Sequence, residues 1–122
     1  MSISNALLPE FDQEMAGTRK VLSRCPDDKF AFTPHPKSWK MVSLATHIVN
    51  MIRWTVDIIA KDSFDVAPPG APPYKEEPAT SNADLLERFD KQAAAARAGA
   101  QVVRVVQHPL EVLPLHAQSV KC

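Results

Sequence analysis

Residues 34–61 read PHPKSWKMVSLATHIVNMIRWTVDIIAK and join a stretch that cannot be helical to the most apolar helical pattern in the chain. Pro34 and Pro36 each lack an amide hydrogen and push the preceding residue toward an extended conformation. Beyond the prolines, apolar or weakly polar residues recur at steps of three and four: Met41, Leu44, Ala45, Ile48, Ile52, Thr55, Val56 and Ile59. We therefore predict an extended link that leads into a buried helix over residues 40–61.

Two further stretches also carry an amphipathic pattern. Residues 4–24 place apolar side chains at helical spacing with charged residues between them, and residues 82–98 do the same. Ser81 and Asp84 stand three residues apart before the third stretch, as in a variant of the capping box. Three amphipathic helices joined by proline-rich links predict an all-α, up-and-down bundle. Its predicted core is Leu8, Phe11, Met15, Leu22, Leu44, Ile48, Ile52, Leu85 and Phe89.

The connections between these helices are rich in proline. Pro26, followed by two aspartates, suits the first turn of a short helix that forms a corner. Five of the eleven prolines lie in residues 68–78, so this part must be an extended loop, and loops of this length are usually functional or disordered. We interpret the two acidic pairs, at residues 27–28 and 76–77, as solvated surface.

The composition is that of a soluble globular domain. The 122 residues are 45% hydrophobic, and 14 basic residues balance 14 acidic ones. A chain without net charge has no field that attracts a polyanion, so neither nucleic acid nor a membrane surface is an expected partner. The start lacks the pattern of a signal peptide, and residues 41–60 are too polar to span a membrane. With only Cys25 and Cys122, which form no metal or redox spacing, we expect a cytoplasmic protein.

The link at residues 32–39, the following Leu44-Ala45-Thr46-His47 and the amphipathic first helix together resemble the DinB-like superfamily over about residues 3–98. The resemblance implies a four-helix bundle in which three histidines hold a divalent metal, zinc or nickel. One histidine is on the second helix, where His47 corresponds to it, and two form a His-x-x-x-His pair on a late helix. In relatives the second helix begins with a capping box, and in this chain we expect Ser38 to cap the helix instead. Related transferases and isomerases use small thiols, so the resemblance implies a small-molecule thiol or an electrophile as partner.

The late histidine pair of the family is missing from this sequence. After residue 98 the chain has only His108 and His116, which are eight residues apart with two prolines between them. Even on an unbroken helix they would lie about 12 Å apart along the axis, whereas zinc ligands lie about 2 Å from the ion. We therefore expect His47 to project toward the family's metal position with fewer than three protein ligands. The bundle is then incomplete, with three helices, an irregular tail and impaired activity.

The chain changes character at Gly99. Only three of the last 24 residues are charged, and six of the eleven valines lie there. The helical period stops, and residues 102–106 favour a strand that has no partner strand. We therefore divide the chain into a helical domain, residues 1–98, and an atypical tail, residues 99–122. We expect the tail to come from a shifted reading frame or a mis-called gene end.

Three functions stay open at this point. The first is a metalloenzyme in which a metal at His47 lowers the pKa of a bound thiol or water. The second is a metal-free helical module that buries an uncovered apolar face against a second copy, as a homodimer. The third is a truncated product without activity.

Other chemically interesting side chains are interpreted as structural. Trp39 and Trp54 are predicted to serve packing rather than to line a pocket. Cys25 follows the first helix, and a helix C-terminus disfavours a thiolate. His35, between two prolines, is interpreted as an exposed loop residue.

Overall fold

The computed structural model describes residues 3–63, 65 and 67–102, and these form three α-helices and no strand. The predicted all-α fold is therefore confirmed. The elements in chain order are α1 (Ile3–Leu22), a 3-10 turn (Asp27–Lys29), α2 (Met41–Ala60) and α3 (Asn82–Val102). Within the described ranges, no helix is both long enough and apolar enough to cross a membrane.

Helix α3 lies between the other two and packs against both. It runs antiparallel to α1 and parallel to α2. The parallel direction follows from two contacts: the backbone of Ala79, before α3, bonds to Thr46 in the first half of α2, and Gly99 lies near Ile59 at the far end. The long loop 61–81 is therefore a crossover that returns the chain to the start of α2. The predicted up-and-down order is wrong for α2 and α3, because this loop is long enough to run back along the whole of α2.

Two bidentate ion pairs set the register between α1 and α3. Arg19 donates from Nε and one terminal nitrogen to Asp90 at 2.8 and 3.0 Å, and Arg97 donates to Asp12 at the same two distances. On each helix the two members are seven residues apart, which is two turns. Hydrogen bonds from the guanidinium groups lower the pKa of both carboxyls. Because all four side chains are about half exposed, the pairs determine register more than stability.

The predicted capping box at the start of α3 is confirmed. Ser81 Oγ accepts a hydrogen bond from the Asp84 amide at 3.0 Å, and Asp84 Oδ2 accepts one from the Thr80 amide at 2.9 Å. In the usual motif the carboxylate accepts a hydrogen bond from the amide of the capping residue, which is Ser81 here. In this chain it accepts one from the preceding residue, Thr80. The hydrogen bond from the Thr80 amide, assisted by Arg88, lowers the pKa of Asp84 below its usual 3.8.

This lowered pKa makes the cap sensitive to acid. A carboxyl whose pKa is lower in the folded than in the unfolded chain stabilises the fold above about pH 4 and loses this effect as the pH falls through the folded pKa. We expect Asp84→Asn to lower the free energy of unfolding at pH 7, and the difference from the wild type to shrink as the pH falls below the unfolded value of about 4 and through the lowered pKa of the folded state. Urea unfolding followed by circular dichroism across this range measures it. A constant difference at every pH would contradict the prediction.

Asn82 joins the end of α1 to the start of α3. Its side-chain amide donates to the carbonyls of Leu22 and Cys25 at 2.9 and 2.8 Å, and its backbone amide donates to Asp27 Oδ1 at 2.6 Å. Carbonyls at a helix C-terminus have no partner within the helix, and Asn82 supplies one. The interpretation of Asp27 as merely solvated is therefore wrong, because its carboxylate accepts the first amide of α3.

We expect Asn82→Ala to lower the free energy of unfolding by about 2 kcal/mol, since it removes two hydrogen bonds to buried or partly buried carbonyls. The Leu22 carbonyl keeps only the hydrogen bond from the Cys25 amide. Chemical denaturation at pH 7 measures the change. Glu87→Ala is the matched control on the same helix, because Glu87 is exposed, and it should stay within about 0.5 kcal/mol of the wild type. Equal effects of the two substitutions would contradict this role of Asn82.

The core agrees with the prediction on α1 and α3 and differs on α2. Leu22, Ile52, Leu85 and Phe89 are buried, as predicted. Leu8, Phe11 and Met15 are partly buried. The prediction is wrong for Leu44 and Ile48, which are exposed. Residues that are buried on α2 include four others besides Ile52: Val42, Ala45, Thr46 and Val49.

The shift on α2 has a physical cause. This helix is apolar around most of its circumference, so periodicity alone does not select the buried face. The face that packs on α3 carries small or branched residues, and α3 contributes Ala93 and Ala96 to the same core. The larger Leu44 and Ile48 lie on the adjacent side.

Helix α3 also continues past the predicted boundary. It runs through Gly99 to Val102, so the prediction that the helical period stops at Gly99 is wrong. Glycine costs about 1 kcal/mol in a helix, and a β-carbon at this position would lie 4.0 Å from Ile59 Cδ1, an ordinary van der Waals distance. Residues 103–122, which include most of the predicted tail, lie outside the described residues.

Candidate functional site

The link before α2 caps the helix with backbone rather than with a side chain. The amides of Met41 and Val42 donate to the carbonyls of Phe32 and Phe30 at 2.9 and 3.1 Å. Ser38 was predicted to cap this helix, and that prediction is wrong: Lys40 occupies the cap position without a side-chain hydrogen bond. The link therefore lies across the N-terminus of α2.

His47 lies on the second turn of α2 beside the buried Thr46 and pairs with an acidic side chain. Its Nδ1 is 2.9 Å from Glu76 Oε1, and the two side chains are only 29% and 17% exposed. An ionised carboxylate accepts hydrogen bonds and cannot donate them, so in the neutral ring Nδ1 carries the proton. Nε2 then keeps its lone pair and is the nitrogen left for a ligand.

The crossover loop brings Glu76 to this position through contacts on either side. On one side, Ala79 donates its amide to Thr46 Oγ1 at 3.0 Å in a buried contact. On the other, the ring of Tyr74 contacts that of Trp54, with centroids 6.3 Å apart. Earlier in the loop, Gly70 adopts a positive φ of 82°, which glycine tolerates without strain and which reverses the chain. The segment 74–79 is thus fixed along α2.

Two indole rings also contact the imidazole of His47. The centroid of Trp39 is 5.2 Å from that of His47 at an interplanar angle of 72°, and the centroid of Trp54 is 6.0 Å away at 85°. Both are edge-to-face contacts, which aromatic rings prefer. Trp39 is half exposed and lines a pocket beside His47, so the prediction that it packs rather than lines a pocket is wrong. With a carboxylate and two indoles around it, the imidazole has a defined orientation.

A pocket of about 580 Å³ opens beside this group. Its volume falls in the range that suits small-molecule ligands, about 300–1,000 Å³. The walls are mainly apolar, and Ser38 and His47 are polar residues among those that line it. The lining residues are Phe32, Pro34, Ser38, Trp39, Met41, Leu44 and His47.

The remaining candidate residues do not join this site. His35 is exposed in the link and accepts a hydrogen bond from the Lys37 amide at 3.1 Å, as a loop residue would. Cys25 is partly buried, and burial raises the pKa of its thiol, which suits a structural cysteine. His108 and His116 lie outside the described residues.

The described residues do not fit the divalent metal that the family resemblance implies. Among them, no group of three or more histidine, cysteine, aspartate or glutamate side chains is placed to hold an ion. A catalytic zinc site normally takes three protein ligands. His47 has one acidic neighbour here, and that neighbour engages Nδ1.

Glu76 is the residue of the site that sequence reasoning missed, because it was interpreted as solvated surface. It stands 29 positions from His47 in a loop without periodicity, so no local pattern connects the two. The proline-rich composition of residues 68–78 indicated an extended loop of functional type, and this was the only signal available.

We compared the chain with known protein families, with curated proteins and with solved structures. The DinB superfamily matches residues 10–105, which is most of the chain and extends beyond Gly99. No curated protein and no solved structure matches the chain. The match covers α2 with His47 and the whole of α3. The chain therefore belongs to the DinB superfamily.

Proposed function

We propose that this chain binds a small molecule in the pocket beside His47 and that His47 transfers a proton to or from it. The observation that carries the proposal is the partly buried contact between His47 Nδ1 and Glu76 Oε1 at the edge of an apolar pocket. A carboxylate on one ring nitrogen orients the imidazole, which lets the other nitrogen act as a general base.

The walls of the pocket and the family support the substrate class that we propose. Apolar walls formed by Phe32, Trp39 and Leu44 suit an uncharged electrophile. Related proteins use small thiols, and a thiol becomes a strong nucleophile once it loses its proton. In the proposed reaction, Nε2 of His47 accepts the thiol proton and the sulfur bonds to an electrophilic carbon. The leaving group departs with the bonding electrons, and His47 releases its proton to water. No step passes through a metal.

A conjugation assay with the full chain tests the proposal. Glutathione is the thiol and chlorodinitrobenzene is the electrophile, and the product is followed by its absorbance. We expect a rate above that of the protein-free mixture, and we expect a chelator to leave it unchanged because His47 acts without an ion. No rate above the protein-free reaction would contradict the proposal. A rate that chelation removes and added zinc or nickel restores would instead favour a metalloenzyme.

Metal content gives an independent prediction. We expect protein dialysed against zinc or nickel to retain no ion that depends on His47, since the described residues supply too few ligands. Elemental analysis of the wild type and of His47→Ala measures this directly. One equivalent of metal in the wild type that is lost on the substitution would show that His47 is a ligand.

A further inference from the structure

Aromatic side chains are concentrated in the walls of the pocket beside His47. Phenylalanine, tryptophan and tyrosine make up 7% of the chain, whereas Phe32 and Trp39 are two of the seven residues that line this pocket. Trp39 is 56% exposed and Phe32 is 52% exposed, so their rings are not covered by the rest of the chain. The walls therefore offer aromatic as well as aliphatic surface to a ligand.

Contacts within the chain fix the backbone of Phe32 and the ring of Trp39. The Phe32 amide donates to the Lys29 carbonyl at 2.9 Å, and the Phe32 carbonyl accepts a hydrogen bond from the Met41 amide at 2.9 Å. The ring centroid of Trp39 lies 5.2 Å from that of His47. Ordering of side chains and loops is part of the cost of binding, so walls that are already ordered retain more of the affinity. The aromatic surface of the pocket is thus in place before a ligand arrives.

Aromatic walls distinguish a planar aromatic ligand from a saturated ligand of the same size. Both ligands gain from the removal of apolar surface from water, but only an aromatic ring stacks on an indole or phenyl ring or meets it edge to face. Such a pair contributes roughly two- to tenfold in affinity beyond the effect of buried area. The thioether of Met41, which also lines the pocket, makes favourable contacts with aromatic rings as well.

The same walls disfavour a charged ligand. The lining residues within the described part of the chain include no lysine, arginine, aspartate or glutamate. Glu76 is engaged by Nδ1 of His47. A charged group that enters such a pocket loses its hydration without gaining a counter-ion, which costs affinity. We therefore expect the ligand to be uncharged.

The volume of the pocket suits one or two rings. An apolar cavity of about 150 Å³ binds benzene, and this pocket has a volume of about 580 Å³. It can therefore hold a substituted benzene or a fused pair of rings. Because the rings of Trp39 and His47 are in contact, a ligand ring that packs on Trp39 also lies close to the imidazole.

We propose that this pocket takes an uncharged, planar aromatic ligand and that Trp39 determines this specificity. The inference rests on the proposed function, for which it names the class of electrophile: an aryl compound rather than an aliphatic one. Trp39 acts here in binding, through the contact of its ring with that of the ligand. Its role can therefore be measured without any reaction.

Binding of two matched alcohols to the full chain tests the proposal. Benzyl alcohol and cyclohexylmethanol are both uncharged and similar in size, but only benzyl alcohol is aromatic, and cyclohexylmethanol is the more hydrophobic of the two. We expect the wild type to bind benzyl alcohol at least about fivefold more tightly. Titrations followed by the chemical shifts of the protein amides give both dissociation constants. Hydrophobicity alone would give the opposite order.

Substitutions of Trp39 show where the preference arises. Trp39→Leu keeps an apolar side chain without an aromatic ring, and we expect the two dissociation constants to become equal within about twofold. Trp39→Phe is the matched control, because it retains an aromatic ring and should keep most of the preference. Trp39 is half exposed, so both variants should fold, and circular dichroism checks this. The comparison of the two alcohols in the wild type stands without either variant.

Four results would overturn the proposal: neither alcohol binds, the wild type does not prefer benzyl alcohol, the preference survives Trp39→Leu, or Trp39→Phe loses it as fully as Trp39→Leu. Neither alcohol reacts, so this experiment is independent of the conjugation assay. A preference for benzyl alcohol in a protein without conjugation activity would contradict only the proposed proton transfer. Conjugation activity without the preference would contradict only the aromatic specificity.

Discussion

Phe89→Ala is expected to lower the free energy of unfolding by about 3–5 kcal/mol. Phe89 is 2% exposed on the helix that packs against both others, so truncation leaves a cavity in the middle of the core. A domain of this size has a total stability of about 5–15 kcal/mol, so the variant should be largely unfolded under mild denaturing conditions.

Urea unfolding followed by far-ultraviolet circular dichroism measures this effect. Val21→Ala is the matched control, because it also shortens an apolar side chain but at an exposed helical position, and it should change stability by no more than about 0.5 kcal/mol. Similar losses in the two variants would mean that α3 is not the centre of the packing.

His47→Gln is expected to reduce the conjugation rate by about 100-fold to 10,000-fold, the usual contribution of a general base. Glutamine keeps polar atoms near the imidazole position but does not accept a thiol proton. Glu76→Gln retains His47 and removes only the negative charge that orients it, so we expect a smaller reduction. The order of the three rates, wild type, Glu76→Gln and His47→Gln, therefore separates the base from the residue that positions it.

His35→Gln is the control for this series, because His35 is an exposed histidine in the link before α2. It should retain the wild-type rate. Equal rates in His35→Gln and His47→Gln would show that His47 takes no part in the reaction. A rate in Glu76→Gln equal to that of the wild type would show that the contact with Glu76 has no catalytic consequence.

The features of the fold that sequence reasoning predicted are those with local causes. Prolines at residues 34 and 36 forbid a helix, and α2 begins within one residue of the predicted position. The capping box at Ser81 and Asp84 acts within four residues, and it identified the start of α3.

The features that sequence reasoning missed depend on contacts between distant residues. The buried face of α2 is selected by its packing on α3, and the sequence of the helix alone does not reveal it. Asn82 reaches back 60 residues to Leu22, and no periodicity reports such a contact. Helix α3 continues through Gly99 to Val102 despite the low helix propensity of glycine.

In the candidate site, too, the local features were predicted and the contacts between distant residues were missed. The motif Leu44-Ala45-Thr46-His47, which spans a single helical turn, identified His47. Pro34 and Pro36 indicated the extended link before it. Glu76 and Tyr74 come from a crossover loop whose path depends on the buried hydrogen bond between Ala79 and Thr46. Sequence alone therefore identified the imidazole but not the groups that orient it.

The central claim is that Glu76 holds His47 through Nδ1 and leaves Nε2 available in the pocket. Long-range proton–nitrogen correlation spectra of the imidazole, recorded where the ring is neutral and assigned with His47→Gln, report directly which nitrogen carries the proton. The account predicts the Nδ1–H form for His47 in the wild type and a loss of this preference in Glu76→Gln. A ring that is protonated on Nε2, or that behaves identically in the two proteins, would contradict it.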